Sequence, residues 1–202
     1  MEKEKELIPG QETGGQSNTE SSATLPSEKE AKDFYQVVRK RLLKVNEWNR
    51  IAGAATADFA LVDEKGNVVQ RDPQKGDYFS IDIPGPKTKT GEGTDWVRIE
   101  AMEENNEGGT DIIAIRVRPA SNPNNNDKDI AHFFDEHSTS SFIVKREGNK
   151  VTASVHGRNE KPNTDTEKLS DKVRNAVVAT GAIGGFSKIQ WKSLVNGLVK
   201  EE

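Results

Sequence analysis

Residues 76–103 constrain the fold more tightly than any other part of this chain. Tyr78-Phe79-Ser80-Ile81-Asp82-Ile83 and Trp96-Val97-Arg98-Ile99-Glu100-Ala101 each alternate apolar with polar side chains, and Pro84-Gly85-Pro86 stands between them. A period of two is that of a strand with one buried and one wet face. Phe79, Ile81 and Ile83 are therefore expected to point inward from the first strand, and Val97, Ile99 and Ala101 from the second. Trp96, Arg98 and Glu100 then share the opposite face. Proline has no N–H for a sheet ladder and restricts the residue before it, which ends the first strand. The pattern returns over 111–118, where Ile113, Ile115 and Val117 alternate with Ala114, Arg116 and Arg118. Three such strands form most simply an antiparallel meander.

The other segments sort around this meander. Ser27 and Glu30 make a capping box ahead of a helix. Its apolar stripe is Phe34, Val38, Leu42 and Val45, with Val37 and Trp48 beside it and Gly53 as its stop. Arg39, Lys40, Arg41 and Lys44 crowd the same helix and read as its solvated face. Short β-like runs at 58–62 and 67–70 flank Asp63-Glu64-Lys65-Gly66, and runs at 141–146 and 150–156 flank Glu147-Gly148-Asn149, predicting two hairpins. Asp127 or Asp129 is placed to cap a short helix through Glu136. Near the C-terminus Leu169, Val173, Val177 and Thr180 follow helical spacing, and Ile189, Leu194 and Leu198 suggest a final helix. The glycines of 181–185 kink or separate the two.

The sum is an α+β fold: a curved antiparallel sheet of about seven short strands, with an N-terminal helix and one kinked or two C-terminal helices packed against it. Residues 27–202 form one domain. Residues 1–26 are expected to be a disordered tail, because Leu7, Ile8 and Leu25 are the large aliphatic side chains available to order a stretch otherwise rich in Glu, Gln, Ser, Thr and Gly.

Composition then narrows function. With 33 acidic against 29 basic residues the net charge is -4, which gives no overall attraction to nucleic acid and makes such a partner unlikely from the outset. The absence of cysteine excludes disulfides, thiolate metal sites and thiol nucleophiles. The first thirty residues lack a secretory apolar core, and no run approaches the ~18 apolar residues of a membrane helix. A soluble, cytoplasmic protein without membrane attachment is the expectation.

Two constellations carry candidate chemistry. If the strands pair as a meander, Asp82, Arg98, Glu100, Arg116 and Arg118 occupy one surface with Trp96 nearby. Arginine beside an indole suits an anionic or aromatic ligand, or a protein contact. Trp96, Arg98, Arg116 and Arg118 are thus the candidate ligand-binding residues of a non-enzymatic module whose partner is a small molecule or a protein. The alternative is a His/carboxylate enzyme, with or without a metal, centred on His132, Asp135, Glu136 and His156. His132 and His137 are five residues apart, not the four of the helical zinc motif, so no metal or cofactor is assigned. Gly181-Ala182-Ile183-Gly184-Gly185 lacks the Gly-Lys-Ser/Thr of a phosphate loop, and no Gly-x-Ser-x-Gly elbow occurs.

Overall fold

The alternating stretch lies toward one side of a seven-stranded antiparallel sheet that curves around its helices. The computed structural model describes residues 7–53, 57–83, 88–164 and 187–201. In chain order these give β1 (Gly15–Thr24), α1 (Glu28–Leu43), a single 3-10 turn (Val45–Glu47), α2 (Trp48–Ala52), β2 (Asp58–Val62), β3 (Tyr78–Asp82), β4 (Asp95–Glu107), β5 (Thr110–Pro119), β6 (Thr139–Glu147), β7 (Lys150–Glu160) and α3 (Ser187–Leu198). The lateral order is β1-β7-β6-β5-β4-β3-β2, with every neighbouring pair antiparallel. No described helix is long and apolar enough to cross a membrane.

Alternation sets the inner face. Phe79, Ile81, Val97, Ile99, Ile113, Ile115, Val117, Phe142, Val144, Val151, Ala153 and Val155 are buried in one cluster with Tyr35, Val38 and Leu42 of α1 and Leu194, Val195 and Leu198 of α3. The α1 terminus is capped as the Ser27/Glu30 spacing implies: the Ser27 hydroxyl accepts the Glu30 N–H at 3.2 Å and donates to the Glu30 carboxylate at 2.7 Å. The buried stripe of α1 runs through Tyr35, Val38 and Leu42, while Phe34 is only partly buried and Val37 is exposed. Trp48 fills the space between the helices and the sheet, its ring edge-on to Phe59 and Phe79 with centroids 5.3 and 5.5 Å away, and 4.8 Å from Phe142. Its Nε1–H donates to the Leu42 carbonyl at 3.0 Å, which satisfies the indole inside the core.

Several elements differ from the sequence reading. Ala101 does not continue the inward face of β4, because the register shifts between Ile99 and Ala101 and Met102 takes over the packing. No strand forms at 67–70; Val62 makes an isolated bridge to Val68, and β1 supplies the seventh strand instead. The short helix expected at 127–136 is absent, because the side chains that would cap it close local turns. Asn125 accepts from the Asp127 N–H, Asp127 from the Asp129 N–H and Asp135 from the His137 N–H, at 3.0–3.1 Å. The helical spacing at 169–180 lies outside the described residues.

The largest difference is at the N-terminus, where the stretch expected to be a disordered tail forms β1 and pairs along most of its length with β7. The few aliphatic side chains of that stretch act as anchors. Leu25 joins the main core, and Leu7, 2% exposed, packs with Ile8 on the outer face of the sheet against Ala114, Ile143 and Ile112. Between Leu7 and β1 the chain is held from below: the Ser141 hydroxyl donates to the Leu7 carbonyl at 2.6 Å, and Asn159 Oδ1 accepts from the Glu12 and Thr13 N–H groups at 2.8 and 3.1 Å. Asn159 adopts φ 55° to do so and also binds Gly10 and Gln11. Gly14, at φ 65°, turns the strap into β1 where a Cβ would lie 2.6 Å from the Glu160 carbonyl oxygen. Burying Leu7 contributes about 2 kcal/mol and each hydrogen bond about 1 kcal/mol, against about 1 kcal/mol of backbone ordering for each residue of the strap. Residues 7–13 are therefore held by a near balance of terms.

Candidate functional site: the outer face of the sheet

The curvature that buries one face of the sheet leaves the other to polar side chains, and the arginines gather there. Arg98 of β4 and Arg118 of β5 are direct cross-strand partners, and Arg116 stands opposite Ala101. The β4 bulge falls at Glu100, and bulging re-aims its carboxylate so that it spans both β5 arginines. It accepts from Arg116 Nε at 2.5 Å and from Arg118 Nε at 2.7 Å. Arg118 also donates to the Glu136 carbonyl at 2.7 Å. Arg98 donates to the Glu64 carboxylate at 2.6 Å and to the Gly76 carbonyl at 3.2 Å, with its guanidinium carbon 5.6 Å from the Tyr78 ring centre. Glu64 and Glu100 thus bind these three guanidinium groups on one surface.

Burial pushes the Glu100 carboxyl upward, but the Arg118 hydrogen bond and the charges of Arg118 and Arg116 outweigh it and hold the group below its ordinary value. A lowered carboxyl stabilises the fold above its unfolded-state pKa, and that contribution is lost as pH falls through the folded value. Glu100→Gln should therefore be less stable than the parent at pH 7, with the gap in urea midpoint closing as both proteins are taken to acid pH below the ordinary glutamate range. A gap that stays constant with pH would show that the ion pairs contribute nothing.

Trp96 shares this side of β4 but is not a contact surface. It is 5% exposed, packed with Val62, Tyr78 and Ala131, and its Nε1–H points to the Gly91 carbonyl at 3.4 Å. The flanking loops cover it: its backbone N–H donates to Ala131 and its carbonyl accepts from Ala120. Strand alternation gives a side but not what lies over it, so Trp96 braces the site instead of lining it.

His156 is on the same face as the arginines, a position that the sequence alone did not suggest. One transverse row runs Asn18, His156, Ser141, Arg116 across β1, β7, β6 and β5, each residue the cross-strand partner of the next. The His156 ring bonds Asn18 at 2.8 Å and Ser154 at 3.0 Å. His132, by contrast, sits in the loop before β6, 6% exposed, stacked on Phe133 at 4.2 Å, and its Nδ1 accepts the Phe134 N–H. Phe134 bridges Pro162, six residues beyond His156 and about 20 Å along an extended chain. Asp135 closes its own turn. His132, Asp135 and Glu136 are thus not assembled with His156. Among the described residues, no group of three or more His, Asp or Glu is placed to hold a metal ion.

No family model matches the sequence, and no curated protein matches it. Among solved structures, a hypothetical protein from Helicobacter pylori is similar at 14% identity and TM-score 0.49, covering 96% of this chain and 91% of that one. Truncated norcoclaurine synthase from Thalictrum flavum is similar at 8% identity and TM-score 0.38, covering 96% of this chain and 100% of that one. A major latex-like protein from Panax ginseng is similar at 14% identity and TM-score 0.29, covering 84% and 96%.

Proposed function

We propose that the protein is a non-enzymatic binding module that takes an anionic group of a small molecule or a protein on the outer face of its sheet, through Arg98, Arg116 and Arg118. The observation that carries this reading is the direct cross-strand apposition of Arg98 and Arg118. Like charges directly opposite on neighbouring strands are destabilising, and Arg116 on the same strand face adds a third. Glu64 pairs with Arg98, and Glu100 with both Arg116 and Arg118. An incoming carboxylate or phosphate would remove the repulsion and gain fork-like hydrogen bonds from guanidinium groups already held in place.

Thermal-shift and calorimetric titration with citrate and inorganic phosphate at low ionic strength test the reading. Binding is expected to weaken about 10- to 100-fold in Arg98→Ala and Arg116→Ala, as loss of a charged hydrogen bond of ~1.5–3 kcal/mol predicts, and to strengthen in Glu100→Gln. No binding, or binding indifferent to all three substitutions, would count against it.

A further inference from the structure

Leu7, Ile8 and the residues up to Thr13 occupy ground beside the arginines. The Leu7 side chain fills a socket of Ala114, Ile143 and Ile112, and its carbonyl takes the hydroxyl of Ser141. Ser141 is the cross-strand partner of Arg116, and Ala114 lies two residues from Arg116 on the same face of β5. An apolar socket, a hydroxyl that donates to a backbone carbonyl and a paired set of guanidinium groups therefore lie side by side. Together they suit a polypeptide segment in which a carboxylate accompanies an aliphatic anchor. The chain's own Leu7 is the anchor seated there.

We infer that residues 7–13 are a displaceable strap, and that the partner competing for their place is an acidic polypeptide segment with an aliphatic anchor. The inference rests on the proposed function and names the partner of that site. The strap is suited to exchange. Leu7 is helical, but residues 8–14 form no strand or helix, and the strap's hydrogen bonds from residues 10–13 converge on the side chain and backbone N–H of Asn159. Gly14 lets it swing while β1 stays paired with β7. The exposed pattern of 10–12 and 14 leaves the adjacent Leu7 and Ile8 as the apolar anchor to withdraw.

The test uses the full chain and a fluorescein-labelled peptide of residues 1–9 as probe, since that sequence carries Glu6 next to Leu7 and omits residues 10–13, which Asn159 binds. In fluorescence anisotropy Leu7→Ser, whose own strap is released, should bind the probe at least 10-fold tighter than the parent. Adding Arg116→Ala should cancel the gain, and a probe carrying Leu7→Ser should not bind. Asn159→Gly keeps the positive φ and removes the clasp side chain, so it serves as the second strap-release variant should Leu7→Ser fold poorly. Equal binding to the parent and to folded strap-release variants would overturn the inference, as would binding independent of Arg116. Citrate binding separates the two ideas: if citrate depends on Arg98 and Arg116 while strap release leaves the probe unbound, the arginine site stands and the strap inference falls. If neither ligand binds, both fall.

Discussion

Trp48→Ala is expected to lower the unfolding free energy by about 3–5 kcal/mol, the range for removing a buried aromatic side chain without collapse of the space it leaves. Trp48 is 1% exposed and lies among Phe59, Phe79 and Phe142 from three different strands, with Trp191 of α3 packed on Phe59 and Phe142 at 6.1 and 5.3 Å. The walls come from both layers of the fold and cannot close on the gap without shifting a strand against a helix. The variant loses dispersion contacts as well as transfer energy, and the Leu42 carbonyl loses its donor. For a domain of this size the midpoint of thermal unfolding should fall by roughly 10 °C. A dry apolar cavity binds a ligand of matching shape, so indole should restore part of the lost midpoint in Trp48→Ala and leave the parent unchanged. This outcome would mean that the space left by the Trp48 indole stays open between sheet and helices. Destabilisation below ~1 kcal/mol, or no effect of indole, would show that the site collapses.

Such a core was readable where side chains alternate and not where pairing alone makes a strand. Phe79, Ile81, Val97, Ile99, Ile113, Ile115 and Val117 all face inward as period two requires, because each inward position carries enough apolar surface to betray its burial. β1 has no such signal. Gly15-Gln16-Ser17-Asn18-Thr19-Glu20-Ser21-Ser22-Ala23-Thr24 is polar on both faces, and its order comes from the ladder to β7 and from α3 lying across it, with Lys192 donating to the Glu20 carbonyl. The candidate site was half legible for the same reason. Alternation brought Arg98, Glu100, Arg116 and Arg118 to one face, whereas the cover over Trp96 and the bulge that lets Glu100 span both β5 arginines depend on loops and register, which no local pattern encodes. Leu7 and Ile8 stood out as aliphatic in a polar tail, but their docking on Ala114 and Ile143 is a contact across more than a hundred residues.

The second large effect is expected from Arg146→Ala, at about 3–5 kcal/mol of lost stability, because it strands a buried carboxylate. Arg146 Nε donates to Asp111 at 2.5 Å with both side chains almost fully buried, and Arg146 Nη1 donates to the Gly148 carbonyl at the β6–β7 turn. Asp111 is the end of the inward row Ile113, Ile115, Val117, so the ion pair sits on the helix side of the sheet. Tyr35 of α1 feels it: burial, then the Glu104 and Asp111 charges, push the Tyr35 hydroxyl well above its ordinary value. The second Asp111 oxygen and the Tyr35 hydroxyl have no hydrogen-bond partner among the described residues. The pair is therefore costly to keep as well as costly to break. Removing one partner leaves an uncompensated charge, whereas replacing both by apolar side chains of similar volume removes the desolvation cost with it. The double variant Asp111→Leu/Arg146→Met should accordingly recover most of the loss seen in Arg146→Met and in Asp111→Leu alone. Urea denaturation of the four proteins measures this as a coupling between the two positions. Additive losses would mean that water reaches the pair and screens it. Strong coupling would mean that the pair lies in a dry part of the core, where neither charge can be left without the other.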